Sequence, residues 1–271
     1  MALKGLVAFD LDGTLLDREG RFLPDAPKVI EALKNAGYKL AVNTGRLGAG
    51  FALEAARRLD DKGLHLFSDG ALIADALGRP ERLYPYSKEA TERLYRVLKA
   101  RPLPADIITQ SRVRLYLPES PPAYLEWHVE RTGTPAFPAP PEAVLRSPPL
   151  VVWLAGVPEA EWEEVRRELD GLFHTELHGP YEGKLFVGLK SKERNKGTGL
   201  LELAELYGIP KERTVMVGDG VNDLTALKAA GLGIAVKGGS EAAQAAADRV
   251  VASPEEGGLF ELLDAIRSRL G

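Results

Sequence analysis

The feature that most constrains this chain is a regular alternation of apolar, strand-like runs with amphipathic, helix-like stretches at both of its ends. The predicted strands are Gly5–Phe9, residues 38–43, residues 64–68, Thr214–Gly218, Leu232–Val236 and a short edge strand over residues 250–252. The predicted helices cover residues 25–36, 49–59, 196–207, 223–230, 240–247 and 258–269. Strands that are joined through helices run parallel, so the pattern predicts an α/β fold with a doubly wound parallel sheet.

Residues 81–186 interrupt this alternation. Two strand-like runs, Ala105–Thr109 and residues 113–117, follow each other here with no helix between them. Further helix-like and strand-like segments surround a proline-rich stretch that we predict to be a loop. Directly connected strands are typical of an antiparallel α+β unit. We therefore expect a core domain of residues 1–80 and 187–271, into which residues 81–186 are inserted as a second domain.

Composition excludes several classes of function. The chain of 271 residues has a formal net charge of −4, whereas a general nucleic-acid-binding protein needs a basic face. No apolar stretch approaches the roughly 20 residues of a membrane-spanning helix. The chain has no cysteine, which excludes disulfides, thiolate nucleophiles and cysteine-ligated zinc. We expect a cytoplasmic protein without nucleic-acid or membrane partners, and no sequence pattern indicates its oligomeric state.

Two carboxylates follow the first predicted strand, in the stretch DLDGT that runs from Asp10 through Asp12. A single aspartate at a strand end is usually a helix cap or a turn residue. A calcium-binding loop also begins D-x-D, but Leu15 stands where such a loop requires glycine and Arg21 where it requires glutamate. Two like charges this close repel each other, so the pair indicates a bound cation or a chemical role for the carboxylates.

Three further loops carry polar residues at strand ends or helix starts. They are NTGR (residues 43–46) after the second strand, NKG (residues 195–197) at a helix start, and GDGVND (residues 218–223) after the strand Thr214–Gly218. Taken alone, Thr44 is usually a helix N-cap and Lys196 a surface lysine. A hydroxyl with backbone N–H groups can instead hold a phosphate oxygen, and a lysine near a helix N-terminus is favourable when an anion docks there. No nucleotide-binding P-loop and no G-x-G-x-x-G pattern is present.

In this order, the four loops resemble those of the haloacid dehalogenase-like hydrolase superfamily, and the long insertion resembles its Cof-type phosphatase branch, which carries a type IIB α/β cap. The resemblance covers nearly the whole chain. It implies a Rossmann-like core with an inserted cap domain over the active site. One position departs from the family pattern, because Asp69 stands where members usually have asparagine, and the role of that aspartate stays open.

The resemblance also implies the roles of individual residues. Asp10 is the expected nucleophile and Asp12 the expected acid and base. The expected cofactor is Mg²⁺, held by Asp10, Asp219 and the backbone carbonyl of Asp12, a ligand set of oxygens that suits a hard cation. The residues expected to bind phosphate are Thr44, Gly45, Lys196 and Asn222. Asp223 is expected to orient Lys196 and to support the metal ligands.

We therefore expect a Mg²⁺-dependent phosphatase that hydrolyses small phosphomonoesters, such as sugar phosphates, through an aspartyl phosphate. Its partner would be a small phosphorylated metabolite whose identity the sequence does not specify. A phosphomutase would share the same four loops and differ in protecting the intermediate from water. A phospho-acceptor signalling domain would combine similar residues on a similar sheet, although Asp12 and the large insertion count against it. A binding protein with a disabled site is disfavoured because every expected catalytic residue is present.

Overall fold

The computed structural model describes residues 3–17, 20–253 and 256–270. The chain forms two compact units, which we call the core unit (Met1–Arg82 with Asn195–Gly271) and the inserted unit (Leu83–Arg194). The strands are β1 (Gly5–Phe9), β2 (Tyr38–Val42), β3 (Leu64–Phe67), β4 (Leu72–Asp75), β5 (Pro80–Leu83), β6 (Ala105–Thr109), β7 (Arg114–Tyr116), β8 (Ala136–Pro138), β9 (Pro149–Pro158), β10 (Phe173–Tyr181), β11 (Lys184–Ser191), β12 (Thr214–Gly218), β13 (Leu232–Val236) and β14 (Arg249–Val251). The helices are α1 (Ala26–Asn35), α2 (Gly50–Asp60), α3 (Lys88–Ala100), α4 (Pro122–Thr132), α5 (Ala143–Arg146), α6 (Glu159–Leu169), α7 (Lys196–Leu206), α8 (Leu224–Ala229), α9 (Glu241–Ala246) and α10 (Gly258–Leu270).

The main sheet of the core unit is parallel and has the order β14-β13-β12-β1-β2. Both of its faces are covered. On β1, Leu6 and Ala8 pack in a cluster with α7 and α8, while Val7 and Phe9, which alternate with them, are also fully buried. A strand that is buried on both faces requires a continuous apolar run, which is the sequence signal that predicted it. The strand order changes direction at β1, whose neighbours are β2 and β12, and ligands of doubly wound sheets bind at such a point.

A separate three-stranded sheet, β3-β4-β5, completes the strands of the core unit. The sequence predicts the strand at residues 64–68 but neither β4 nor β5. β4 pairs antiparallel with β3 because the chain reverses through Ser68, Asp69 and Gly70, which all have positive φ. A single parallel bridge between Asn43 and Leu66 joins β3 to the end of β2. The turn therefore places Asp69 beside the loop that follows β2.

The inserted unit contains a six-stranded sheet with the order β10-β11-β9-β6-β7-β8, in which only the β7–β8 pair is parallel. One face of this sheet packs against α3 and α6 in a hydrophobic cluster that includes Leu94, Val165 and Val187. The proline-rich stretch, which the sequence predicts as a loop, contains the short elements β8 and α5. The predicted boundary after residue 186 falls inside β11, which pairs with β9 and β10, and the compact unit extends to Arg194.

Within the described residues, no helix combines the length and apolar character needed to cross a bilayer.

Candidate active site

Three carboxylates and one lysine form a group at the carboxyl ends of β1 and β12, in which every member but the half-buried Asp219 is buried. Asp10 directly follows β1, and its amide donates a hydrogen bond to the carbonyl of Val217 (2.8 Å). The Nζ of Lys196, the first residue of α7, lies 2.6 Å from Oδ1 of Asp10 and 2.7 Å from Oδ1 of Asp223. The lysine is fully buried, as is Asp223. We call Asp10, Lys196, Asp219 and Asp223 the carboxylate–lysine group.

The loop after β12 is shaped by its own aspartate. Oδ2 of Asp223 accepts hydrogen bonds from the amides of Asp219 (3.0 Å) and Gly220 (2.9 Å). The other oxygen of the same carboxylate binds Lys196. Asp223 therefore fixes the backbone that carries Asp219 and orients the lysine at the same time.

The charges of the carboxylate–lysine group favour the binding of a further cation. Burial and then the neighbouring Asp223 raise the pKa of Asp219 to about 6, against a smaller opposing effect of Lys196. Burial also raises the pKa of Asp10, although Lys196 opposes it. Burial acts to lower the pKa of Lys196, but Asp10 and Asp223 outweigh it, so the pKa is raised and the lysine is charged. One ammonium thus faces three carboxylates, and this excess of negative charge is unfavourable without a further cation.

The donor atoms of this group suit a metal ion. Within the part of the chain that the structure describes, one group of acidic side chains has carboxylate oxygens close enough to share an ion, and it consists of Asp10, Asp219 and Asp223, with oxygens within 4.8 Å of one another. Carboxylate oxygens are the ligands of hard cations such as Mg²⁺, which keeps some of its waters and needs only one or two carboxylates. The residues present therefore fit Mg²⁺.

Gly13 allows the loops after β1 and β12 to approach each other. Its φ is +76°, and a Cβ at this position would lie 2.4 Å from Oδ2 of Asp219. Glycine adopts positive φ without a steric penalty, and the missing side chain leaves room for the carboxylate. The glycine of the DLDGT stretch is thus required by both backbone conformation and close contact.

Asp12 is held by an arginine from the next loop. The guanidinium of Arg46 donates from Nε to Oδ2 of Asp12 (2.8 Å) and from Nη2 to Oδ1 (2.6 Å). The side chain of Arg46 is 8% exposed and that of Asp12 is 32% exposed. Asp12 therefore lies at the accessible side of the site, whereas Asp10 is buried.

The remaining predicted phosphate-binding residues surround Asp69. The side-chain Nδ2 of Asn222 donates to Oδ1 of Asp69 (3.3 Å), and a Cβ on Gly45 would lie 3.2 Å from the same oxygen. The carbonyl of Thr44 accepts a hydrogen bond from the amide of Asp69 (3.1 Å). Asp69 is itself buried, with left-handed backbone angles. Gly45 and Asn222 thus lie beside the carboxylate of Asp69, whose role the sequence leaves open, and Thr44 binds the backbone of the same residue.

The structure thus brings the predicted residues together in three sets. Asp10, Lys196, Asp219 and Asp223 form one set, Asp12 pairs with Arg46, and Thr44, Gly45 and Asn222 adjoin Asp69. Arg46 belongs to the NTGR loop after the second strand, but the sequence predicts no contact for it. It assigns Asp223 a supporting role, whereas the structure also places its carboxylate among the candidate metal ligands. The position of Arg46, directly after Thr44 and Gly45 at a strand end, is the sequence signal that could have predicted its contact within this site.

A doubly wound parallel sheet with carboxylates, a lysine and a glycine-containing loop at its carboxyl edge defines the molecule as an α/β enzyme of the kind expected from the loops. A family model of haloacid dehalogenase-like hydrolases matches residues 7–263. The chain therefore belongs to the haloacid dehalogenase-like hydrolase family. The predicted family, the predicted fold class and the prediction of an enzyme are confirmed.

Individual relatives cover nearly the whole chain. A phosphoglycolate phosphatase from Methanopyrus kandleri is 27% identical over 255 residues, which cover 94% of this chain and 93% of that protein. Phosphatase YwpJ from Bacillus subtilis is 26% identical over 293 residues, which cover 95% of this chain and 98% of that protein. The solved structure of the subclass IIB sugar phosphatase BT4131 has a TM-score of 0.79 at 21% identity, covering 97% of this chain and 99% of that one. This last likeness supports the fold.

Proposed function

We propose that this protein is a Mg²⁺-dependent phosphatase that hydrolyses small phosphomonoesters through an aspartyl phosphate on Asp10. The observation that carries the proposal is the buried carboxylate of Asp10, hydrogen-bonded to a charged lysine and grouped with two further carboxylates. The family to which the chain belongs and its phosphatase relatives support phosphate ester hydrolysis as the class of reaction.

In the first step, a carboxylate oxygen of Asp10 attacks phosphorus and forms a P–O bond. The ester P–O bond breaks, its electron pair goes to the departing alkoxide oxygen, and Asp12 gives that oxygen a proton. The product alcohol leaves, and Asp10 carries the phosphoryl group as an acyl phosphate. Covalent catalysis of this kind divides one difficult displacement into two easier ones.

In the second step, water attacks the phosphorus of the acyl phosphate while Asp12 takes up a proton from it. The bond between phosphorus and the Asp10 oxygen breaks, so inorganic phosphate leaves and the carboxylate of Asp10 is restored. Asp12 is thereby returned to the protonated form in which it began, with a proton that comes from the water. A single side chain can therefore serve as acid and then as base.

The remaining residues bind and orient. Asp10, Asp219 and the backbone carbonyl of Asp12 would hold Mg²⁺, which would neutralise charge between the nucleophile and the phosphate. Lys196 supplies a fixed positive charge beside Asp10, and Asp223 keeps it there. Thr44, Gly45 and Asn222 would bind the phosphoryl oxygens, and fixed donors of this kind stabilise charge as it shifts.

The proposed substrates are small phosphorylated metabolites. The relatives named above include a phosphoglycolate phosphatase and a sugar phosphatase, so the class of alcohol varies within the family. We propose that the inserted unit selects among such alcohols, because the core unit already contains the residues proposed for the chemistry.

The test compares the wild type with Asp10→Asn on a panel of sugar phosphates, phosphoglycolate and phosphorylated cofactors, each with and without Mg²⁺. We expect the wild type to release phosphate only with Mg²⁺ and the variant to lose nearly all turnover while keeping its fold by circular dichroism. The matched control is Asp25→Asn, at an aspartate that forms a surface pair with Lys28. Full turnover in Asp10→Asn would refute the mechanism.

Mass spectrometry of acid-quenched reactions provides the covalent test. We expect a phosphoryl group on the peptide that contains Asp10, and its appearance on another residue would contradict the assignment. The same reactions, run with a second sugar phosphate as acceptor, separate hydrolysis from phosphoryl transfer to sugar. Release of inorganic phosphate and the free alcohol, without phosphorylation of the acceptor, supports a phosphatase over a phosphomutase.

A further inference from the structure

Arg46 binds Asp12 in a geometry that fixes the direction of its carboxylate. The two hydrogen bonds, 2.8 Å from Nε and 2.6 Å from Nη2, engage different oxygens of the same carboxylate. A guanidinium that contacts both oxygens in one plane determines the rotation of the carboxylate as well as its position. A lysine in the same place would supply a point charge without this orientation.

The backbone of Arg46 is anchored on two sides. Its amide donates to Oγ1 of Thr44 (3.2 Å), and its carbonyl accepts a hydrogen bond from the amide of Ser68 (2.9 Å). The first contact connects it to the end of β2 and the second to the end of β3. With the side chain 8% exposed, little conformational freedom remains to be lost when the pair forms.

We infer that Arg46 is a positioning residue that orients the carboxylate of Asp12 for its proton transfers. The inference rests on the proposed function, because it assigns Arg46 to the acid and base of that reaction. Each carboxylate oxygen has two lone pairs, and the arginine occupies one on each. A carboxylate that binds a guanidinium in this way can still bind the proton that Asp12 gives to the alkoxide and later takes from water.

A guanidinium also binds phosphate well, so a direct contact with the substrate is the competing role. The two roles differ in which substrates they affect. An alkyl phosphate needs a proton on its leaving oxygen, whereas p-nitrophenolate leaves without one. Loss of a residue that acts through the acid should therefore spare p-nitrophenyl phosphate, and loss of a phosphate ligand should affect both substrates alike.

The experiment measures kcat/KM of Arg46→Gln for glucose 6-phosphate and for p-nitrophenyl phosphate, because this constant reports the steps up to the formation of the acyl phosphate. We expect a loss of about 100-fold for the alkyl phosphate, the scale of general acid catalysis, and of less than about fivefold for the aryl phosphate. Asp12→Asn should show the same contrast. The double variant should lose no more than Asp12→Asn alone, since both substitutions remove one function.

The matched control is Arg79→Gln, which removes an arginine–aspartate pair at an exposed site of the core unit and should leave both constants unchanged. Equal losses on the two substrates, or losses that multiply in the double variant, would overturn the inference. If Arg46→Gln melts well below the wild type, Arg46→Lys is measured in the same way and must show the same contrast. A wild type inactive on p-nitrophenyl phosphate and on every alkyl phosphate of the panel would refute the proposed function itself, and with it the inference.

Discussion

Gly13 is a residue at which a single added methyl group should disturb the proposed metal site directly. Gly13→Ala would force an alanine to φ +76° and place its Cβ 2.4 Å from Oδ2 of Asp219. The strain costs about 1 kcal/mol, and displacement of a proposed metal ligand should lower kcat/KM by about 100-fold. The measurement is phosphate release over a range of Mg²⁺ concentrations. The variant should also need a higher Mg²⁺ concentration than the wild type for half-maximal activity.

Gly20 provides the control for backbone strain. Its φ is +78°, almost the same as that of Gly13, but no atom of the residues that the structure describes lies within 4 Å of its would-be Cβ. Gly20→Ala should therefore lose similar stability and keep its activity. If both variants lost activity equally, strain rather than contact with Asp219 would explain the effect.

His65 should make the core unit sensitive to acid. The buried ring accepts a hydrogen bond from the amide of Val42 at Nδ1 (3.2 Å) and donates from Nε2 to the carbonyl of Asp60 (2.9 Å). Burial lowers the pKa of His65 from 6.5 to about 4. The unfolded chain therefore takes up this proton first as the pH falls, so stability is lost between pH 6.5 and about 4, by about 3 kcal/mol in total.

The measurement is amide exchange in β2, at pH 7 and at pH 4.5, for the wild type and His65→Gln. The stability difference between the two proteins should shrink at the lower pH, because only the wild type carries the histidine. The same substitution at His174, an exposed residue of the inserted unit, is the control. A difference that stays constant with pH would contradict the assignment of His65.

At the scale of elements, the start of α7 determines where Lys196 lies. Asn195 caps this helix, because its Oδ1 accepts hydrogen bonds from the amides of Gly197 and Thr198, both at 2.9 Å. Asn195→Ala should cost about 1 kcal/mol and should lower kcat/KM, since the first residue of the helix holds Asp10. Asn195→Ser keeps a capping oxygen and should restore both melting temperature and activity. Equal activity of Asn195→Ala and Asn195→Ser would show that the helix cap does not affect the position of Lys196 in the site.

The elements that could be predicted from sequence are those with a strong local signal. Largely apolar runs identified β1, β2, β12 and β13, because both faces of the main sheet are buried. The sequence does not predict β4 and β5, because their sheet depends on the chain reversal at Ser68, Asp69 and Gly70. Local sequence does not predict positive φ at a serine and an aspartate. β8 was missed because it has three residues, ends in proline and lies at a sheet edge, where proline is tolerated.

The candidate site follows a similar division. Its loops could be placed from sequence because the carboxyl ends of parallel strands meet at one edge. The pairing of side chains across that edge could not be predicted. The contacts between Arg46 and Asp12, and between Asn222 and Asp69, join residues far apart in the chain. Such contacts depend on loop conformations that only the folded sheet brings together.

At the scale of the whole molecule, each unit has its own hydrophobic core, and all three tryptophans, Trp127, Trp153 and Trp162, belong to the inserted unit. Tryptophan fluorescence should therefore follow the inserted unit, whereas far-ultraviolet circular dichroism follows both. Leu200→Ala in the core unit should cost about 2–5 kcal/mol and lower the urea midpoint seen by circular dichroism more than that seen by fluorescence.

Leu94→Ala is the matched substitution in the inserted unit, at an equally buried leucine. It should lower the fluorescence midpoint more than the circular dichroism midpoint. If each variant shifted both signals together, the two units would unfold as one cooperative body.

The burial of Lys196 has a consequence for covalent labelling. Acylating reagents attack the neutral amine, and this amine is fully buried, charged and bonded to two carboxylates, whereas a lysine such as Lys88 is exposed. Native protein treated with such a reagent should become modified over its surface while position 196 stays intact. Any adduct at that position would then record a molecule whose central charge network had already opened.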